Sequence, residues 1–437
     1  MDGGKTTTKG KQMNRLFKGL YLLPLIALSA WAGEAKSDKE LKKVIEDQGI
    51  YVETSQKGIV LSGYVDAGYT YNFNSGNNTI NQRFAQDGGV AAQQQGDFNL
   101  NAFKLALAKP LSDKNELSAG FRTDLMVGED AAVFSGGTAG DGLSSIYMHQ
   151  AVVLFRAPIG NGIDFAVGKF ATPVGYEVAE RPANMNYSYG LLWKTIQPLT
   201  HTGIAATYKV NDLVTAQFAV VNSDWNSADG VSVRNNVDGN SNVGLAFGFD
   251  VKSKGGNANI KNTFIGETRG GRNAATNAAP VTGALREGSI FLWDSWGNWA
   301  PKFANDKLLL GYNTDLGFYN GYQESVGGQK ANENFYGAAL YAKYQLCKQF
   351  SLAGRMEYVH NTDGVKFGNT TTGLSSTDLY SYTMTAGFDI WENMLLRAEY
   401  RADFGADTQG GNVQGGVATH GNDATAHMAS INVVYSF

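Results

Sequence analysis

A single cysteine, Cys347, in 437 residues leaves no internal disulfide to hold this chain together. Charged residues are few, at 17%, and there are only 8 prolines. After residue 32 no apolar run approaches the ~18 residues that mark a membrane-crossing helix, which excludes a helical membrane protein. Basic residues do not exceed acidic ones, 36 against 40, and this argues against a nucleic-acid partner. What the chain does have is glycine, 54 residues, and 12% aromatic side chains, a composition that fits an exported β protein. A chain of this length has room for two soluble domains, but no linker or shift in composition divides it.

The N-terminal segment reads as an export signal. Arg15 and Lys18 precede the apolar run from Leu20 to Leu28, and Ala30-Trp31-Ala32 supplies the small-x-small pattern of a signal peptidase site. Residues 1–12 are hydrophilic and lie ahead of Met13, which reads as an alternative start. Cleavage after Ala32 removes five basic residues and one acidic, leaving 31 and 39, a processed chain about eight charges negative. Ser37 to Gln48 reads as a short helix, with Ser37-x-x-Glu40 as its capping box. The expected organisation is residues 1–32 as N-terminal extension and signal peptide, 33–57 as a periplasmic leader with a short helix, and 58–437 as a barrel.

The barrel is argued from alternation. In Ile59 to Phe73, Ile59, Leu61, Val65, Ala67, Tyr69, Tyr71 and Phe73 share one face, while Ser62, Asp66, Thr70 and Asn72 share the other. Leu117, Ala119, Phe121, Leu125 and Val127 oppose Glu116, Ser118, Arg122 and Asp124 in the same way, and Val243 to Val251 repeats the pattern. At the C-terminal end Ala429, Ile431, Val433, Tyr435 and Phe437 face away from Ser430, Asn432, Val434 and Ser436. An exposed apolar edge strand invites aggregation in water, whereas a closed barrel in lipid pairs its last strand with its first. Tyr435 and Phe437 also match the aromatic C-terminal assembly signal read by the barrel assembly machinery.

Connection lengths set the strand number. Seven short turns, from Pro110–Asn115 to Glu392–Asn393, alternate with eight long loops, near 74–96, 128–145, 172–199, 222–241, 268–288, 319–334, 361–376 and 405–423. The fold expected is all-β, a transmembrane antiparallel up-and-down barrel of about 16 strands, with short turns in the periplasm and long loops outside. Weak patterning near 258–267 and 289–300 keeps fourteen and eighteen as neighbouring counts. A barrel of this size leaves an aqueous channel rather than a packed core.

Gly168-Lys169-Phe170-Ala171-Thr172-Pro173-Val174-Gly175-Tyr176-Glu177, Asn186-Tyr187-Ser188 and Pro198-Leu199-Thr200-His201-Thr202-Gly203, with the opening strand Gly63 to Tyr69, resemble the OmpL-like β-barrel porins of Gram-negative bacteria. The resemblance implies a passive outer-membrane diffusion channel for small hydrophilic solutes or ions. It carries no particular solute.

Selectivity in a pore comes from its width and from the charges at its narrowest level. With Met394, Leu396, Ala398, Tyr400, Ala402 and Phe404 facing lipid, Arg397, Glu399, Arg401 and Asp403 face the lumen. Arg355, Glu357, Arg122 and Asp124 point inward by the same parity. These charges either set a field across the lumen or pair with neighbours to complete a polar wall. The loop from Thr172 to Leu199 is the expected constriction, because it is the longest and follows the fifth strand. It carries Glu177, Glu180 and Arg181 with Tyr176, Tyr187, Tyr189 and Trp193, aromatics that either form a sugar slide or pack the loop against the wall. Pro173, Pro182 and Pro198 disfavour a regular strand or long helix there. Trp293, Trp296 and Trp299 read as girdle or subunit-contact residues.

No enzyme is indicated. Gly168-Lys169 lacks the glycine spacing of a phosphate loop, and the five histidines lack metal-ligand spacing, so no cofactor or metal is expected. One catalytic alternative is an outer-membrane lipid hydrolase using Ser145 and His149 on the lipid face. Another reading is a non-conducting barrel serving as adhesin or structural element. The expected partners are outer-membrane lipids, the assembly machinery, small hydrophilic solutes and, by analogy with general porins, two further copies in a homotrimer.

Overall fold

A computed structural model of the chain describes residues 58–73, 97–134, 146–222, 243–269, 288–305, 307–323, 330–362, 376–407 and 425–437. The signal peptide and the helix read over 37–48 lie outside the described residues.

Among the described residues, sixteen strands follow in order. They are β1 (Val60–Asn72), β2 (Asp97–Lys109), β3 (Ser118–Val127), β4 (Ile146–Ala157), β5 (Ile163–Ala171), β6 (Thr200–Lys209), β7 (Val214–Asn222), β8 (Val243–Lys252), β9 (Ala258–Arg269), β10 (Gly288–Trp299), β11 (Leu308–Gln323), β12 (Lys330–Gln345), β13 (Phe350–Thr362), β14 (Ser376–Trp391), β15 (Met394–Asp407) and β16 (Thr425–Ser436). Each pairs antiparallel with its sequence neighbour, and β1 pairs with β16 to close the barrel. The weakly patterned segments are β9 and β10, so the count is sixteen. The sixth long connection is shorter than the alternation implied, because β11 extends to Gln323 and β12 starts at Lys330. Two helices are added: α1 (Glu129–Phe134) after β3, and α2 (Leu191–Thr195) ahead of β6.

The short turns have local causes. Asn393 takes a φ of 69° in the two-residue turn between β14 and β15, a left-handed conformation that asparagine tolerates better than most residues. The strand faces separate as the alternation predicts. Leu245, Phe247, Tyr400, Ile431 and Tyr435 are exposed on the outside, while Asp66, Glu399, Arg401 and Asn432 are buried on the inside.

Outward aromatics gather near both strand ends. Tyr336, Tyr358 and Tyr380 run across β12–β14 on the long-loop side, with ring centroids 6.2 and 4.9 Å apart. On the short-turn side Phe155 stacks on Phe165 at 4.6 Å. Two aromatic bands flanking an apolar zone are what a barrel in a bilayer presents. Of the three tryptophans of β10, Trp293 and Trp299 face outward, but Trp296 faces the lumen at 3% exposure.

Closure is tight at the seam. The Gly63 and Phe437 backbones exchange hydrogen bonds of 2.8 and 2.9 Å, and the Phe437 ring stacks on Phe103. A Cβ at Gly63 would collide with the Lys104 carbonyl and lie 2.7 Å from the Phe437 ring. Gly63→Val is therefore expected to loosen the β1–β16 seam. In heat-modifiable electrophoresis the substituted barrel should lose its compact form at a lower temperature than the wild type.

Candidate functional site

The long connection between β5 and β6, residues 172–199, does not project outward. Thr172 and Leu199 join through a backbone hydrogen bond of 3.1 Å at its base, and the segment between them is folded into the barrel with most side chains buried. It holds a short 3-10 turn at Arg181–Ala183 and the five-residue α2, but no strand or long helix.

Three groups of charges pin this lumen loop to the wall. In the first, Lys104 on β2 meets both Asp124, at 2.9 Å, and Glu180 of the loop, while Arg122 binds Asp124 through two hydrogen bonds of 2.9 Å. Burial by itself raises the Glu180 carboxyl, but Lys104, His149 and Arg122 together outweigh it and hold the group down at about 2. In the second, Arg355 reaches Glu177 of the loop at 2.6 Å and its β13 neighbour Glu357 at 2.7 Å, and donates to the Ser188 carbonyl at 2.7 Å. Burial raises the Glu177 carboxyl, and Arg355 opposes that shift. Glu177 and Glu357 in turn accept the backbone N–H groups of Gly190 and Leu192 at the start of α2, so helix and wall share one carboxylate pair.

The third group holds the loop by its main chain. Arg397 donates to the carbonyls of Arg181, Asn184 and Asn186 at 3.1–3.2 Å, and Arg401 to that of Tyr189 at 2.7 Å. Glu399 accepts the N–H groups of Tyr187 and Ser188 at 2.6 and 2.9 Å. Asp403 is held by Arg401 at 2.8 Å. Behind the loop, Arg181 is fully buried and forms a two-pronged pair with Asp130 of α1 at 2.6 and 2.9 Å.

Ten of the eleven inward or loop charges singled out in the sequence thus fall into three clusters around one segment, and the eleventh, Arg181, pairs with Asp130 behind it, while Tyr435 and Phe437 lie apart at the barrel seam. Their contacts are with neighbours and with loop backbone, so the reading of opposed free charges gives way to that of a paired polar wall. The physical reason is desolvation: a guanidinium buried this deeply is costly unless it is paired and hydrogen-bonded. The loop aromatics pack rather than line a slide. Tyr189 stacks on Trp193 at 4.1 Å, with Phe134 of α1 against them, and Tyr176 stacks on Tyr341 at 4.3 Å. Lys104 was legible from β2 parity, between the outward Phe103 and Leu105. Asp130 was not, since a loop has no period to read.

The hydrolase reading fails on orientation. A register shift between Asp124 and Leu125 interrupts the β3–β4 pairing, His149 and Gln150 are both buried in β4, and His149 is 1% exposed on the lumen side rather than toward lipid. Ser145 lies outside the described residues. Asp124, His149 and Glu180 bring donor atoms within 4.8 Å of one another, but the Lys104 ammonium already sits between the two carboxylates, where a cation would go.

A family model described as "Putative beta-barrel porin-2, OmpL-like" matches residues 58–437. The chain belongs to this family of OmpL-like porins. No curated protein matches it. Among solved structures, this porin is similar to the outer membrane channel DcaP of Acinetobacter baumannii, with TM-score 0.62 and 11% identity, covering 89% of this chain and 100% of that one. The anion-selective porin from Comamonas acidovorans aligns with TM-score 0.55 at 10% identity over 87% and 99%. OmpT of Vibrio cholerae, folded in vitro, gives 0.54 at 12% over 89% and 100%. At such identities the likeness is one of fold. The porin resides in the outer membrane of a Gram-negative bacterium, as its strands implied.

Removing one partner of a buried ion pair costs about 3–5 kcal/mol, because the other charge stays behind unpaired. Arg355→Ala strands both Glu177 and Glu357, and is expected to free the loop. Lys194, 5% exposed in α2, should then become a trypsin site in the otherwise folded porin, read by mass spectrometry of the limited digest. Acid acts on the Lys104 tether. With Glu180 depressed to about 2 from 4.5, its contribution is complete above pH 4.5 and fades as the pH falls toward 2. Glu180→Gln should therefore lower the stability of the loop at pH 7 and remove that part of its acid dependence, measured by the same digestion with an acid-active protease.

Proposed function

We propose that this porin passes small hydrophilic solutes or ions by passive diffusion, through a lumen narrowed by the segment 172–199. The observation that carries this reading is the set of wall-to-loop contacts above. They hold a 28-residue loop inside a closed barrel, where it sets the free cross-section. Arg122, Asp124, Glu177, Glu180, Arg181, Arg355, Glu357, Arg397, Glu399, Arg401 and Asp403 are proposed as the residues that shape this constriction. They act mainly by fixing the loop, and their charges reach a solute only where the loop leaves them uncovered. Passive diffusion needs no reaction, so the proposal assigns no catalytic group.

A homotrimer is part of the proposal. Vibrio cholerae OmpT has been solved in a trimer form, which aligns to this chain with TM-score 0.51 at 12% identity. A second reading, a surface-exposed barrel that does not conduct, is favoured by the depth of burial on the lumen side, where Asp124, Arg401 and Asp403 are 0% exposed.

The test is single-channel recording of the refolded chain in a planar bilayer, beside a variant whose loop residues 177–190 are replaced by a short glycine-serine linker. Stepwise openings in the wild type, enlarged several-fold in the variant, are expected. A folded wild-type barrel that stays silent while the variant conducts would favour the non-conducting reading. Silence from both would sink the channel.

A further inference from the structure

The outer surface of the barrel is not uniformly apolar. On β7–β8 and β13–β14 the zone between the two aromatic bands presents Phe218, Val220, Leu245, Phe247, Met356 and Met384 to lipid. On β9–β11 the corresponding zone is polar. Asn262, Ser295 and Thr314 stand in register on these three strands, all on the outward face, with Tyr312 beside them. Apolar residues bound the patch along each strand: Ile260, Trp299 and Leu310 toward the short turns, Phe264, Phe291 and Leu316 toward the long loops. The patch therefore lies within the hydrocarbon zone rather than at its rim.

Its polar groups serve one another only in part. Trp293 donates its indole N–H to Asn262 Oδ1 at 3.1 Å, and the Ser295 and Tyr312 hydroxyl oxygens lie 3.1 Å apart. Thr314 donates to the Gly337 carbonyl at 3.0 Å. The Asn262 amide nitrogen has no acceptor among the described residues. Of the two hydroxyl hydrogens at Ser295 and Tyr312, one lies between the oxygens and the other has no acceptor among the described residues. Water serves such groups at a membrane rim, whereas acyl chains accept no hydrogen bond.

A second observation concerns Trp293 itself. Tryptophan collects at the two membrane interfaces, where its N–H meets water and headgroups. Trp293 instead stands well up β10 from Trp299 and turns its N–H to a side-chain amide. The face also permits close approach. Gly266, outward on β9, has open space where a Cβ would stand, and a Cβ at Gly297 would come within 2.9 Å of the Tyr312 ring, so glycine lets that ring lie against the wall.

We propose that this face of β9–β11 is where copies of this chain meet, with Asn262 and the Ser295–Tyr312 pair bonding across the contact between subunits. The inference rests on the homotrimer proposed above and names its face. Within the hydrocarbon zone the neighbours on offer are acyl chains and the walls of other membrane proteins, and only the walls can accept a hydrogen bond. In partial charge the patch is complementary to itself: the Asn262 N–H groups and one hydroxyl hydrogen are donors, while Asn262 Oδ1 and the hydroxyl oxygens keep lone pairs. Placed at a threefold axis it meets the same patch of both neighbours, so each copy satisfies the next with no other partner.

The test uses the full chain as assembled in bacterial outer membranes. Mass photometry of the unboiled detergent extract counts the copies. The photo-crosslinker p-benzoylphenylalanine is incorporated at Leu316, beside the patch, or as a control at Phe218, 48% exposed on the outside of β7. Irradiation should join the chain labelled at Leu316 to further copies of itself, in bands of two and three chain masses, and leave the chain labelled at Phe218 single. Asn262→Leu, similar in volume, should lose the oligomer band in SDS at a temperature that the wild type withstands, while heat-modifiable migration shows the monomer still folded. Ser295→Ala serves as a further variant should Asn262→Leu fail to fold. An oligomer that crosslinks from Phe218 and not from Leu316, and that Asn262→Leu leaves intact, overturns the face and keeps the homotrimer. Crosslinks from Leu316 in an oligomer indifferent to both substitutions overturn the bonding between subunits and keep the face. A monomeric extract without self-crosslinks overturns both the homotrimer and the face, and a dimer joined through Leu316 overturns the threefold number alone.

Discussion

Backbone amides in hydrocarbon have no water to bond with, so a sheet that crosses a bilayer must pair both edges of every strand. Everything else in this porin follows from that constraint. The alternation of apolar and polar residues, the meeting of β1 with β16 at Gly63 and Phe437, and the antiparallel order of neighbours all serve one closed ladder. Closure also creates the lumen. Once sixteen strands turn their apolar side outward, every second residue is delivered to an enclosed space that has to be made polar and satisfied.

The satisfaction comes from a loop rather than from water alone. Arg397 and Glu399 direct most of their hydrogen bonds to main-chain carbonyls and amides of residues 181–188, and Arg401 adds one to the Tyr189 carbonyl. Main-chain groups are present whatever the side chain, so this mode of anchoring constrains the path of the loop more than its sequence. Side chains then refine the fit: Glu177, Glu180 and Arg181 each meet an opposite charge on β13, β2 and α1. The loop is therefore as much a part of the wall's electrostatics as the strands are.

Much of the fold was legible in the sequence because a strand's side-chain period is two and needs no knowledge of its partner. Inward parity for Arg122, Arg355 and Arg397 followed directly, as did the outward parity of Tyr400 and Tyr435. Misreadings arose where the period is broken. His149 sits where the β3–β4 register shifts, and Trp296 lies in a strand whose alternation is blurred by Trp293 and Trp299 on the other face. Asp130 and the packing of α1 on Trp193 belong to connections, which carry no period.

The sequence by itself determined the strand faces, the closed antiparallel order and the membrane address, since these depend on residues within one strand and on turns of a few residues. Only the tertiary structure decided which charges meet. Tyr187 and Glu399 are 212 positions apart, and Arg397 and Arg181 are 216. Whether such residues touch depends on the tilt of the strands and on the route of a loop through the lumen. Those are properties of the closed barrel as a whole, in which small offsets between neighbouring strands accumulate until opposite walls face each other at one level.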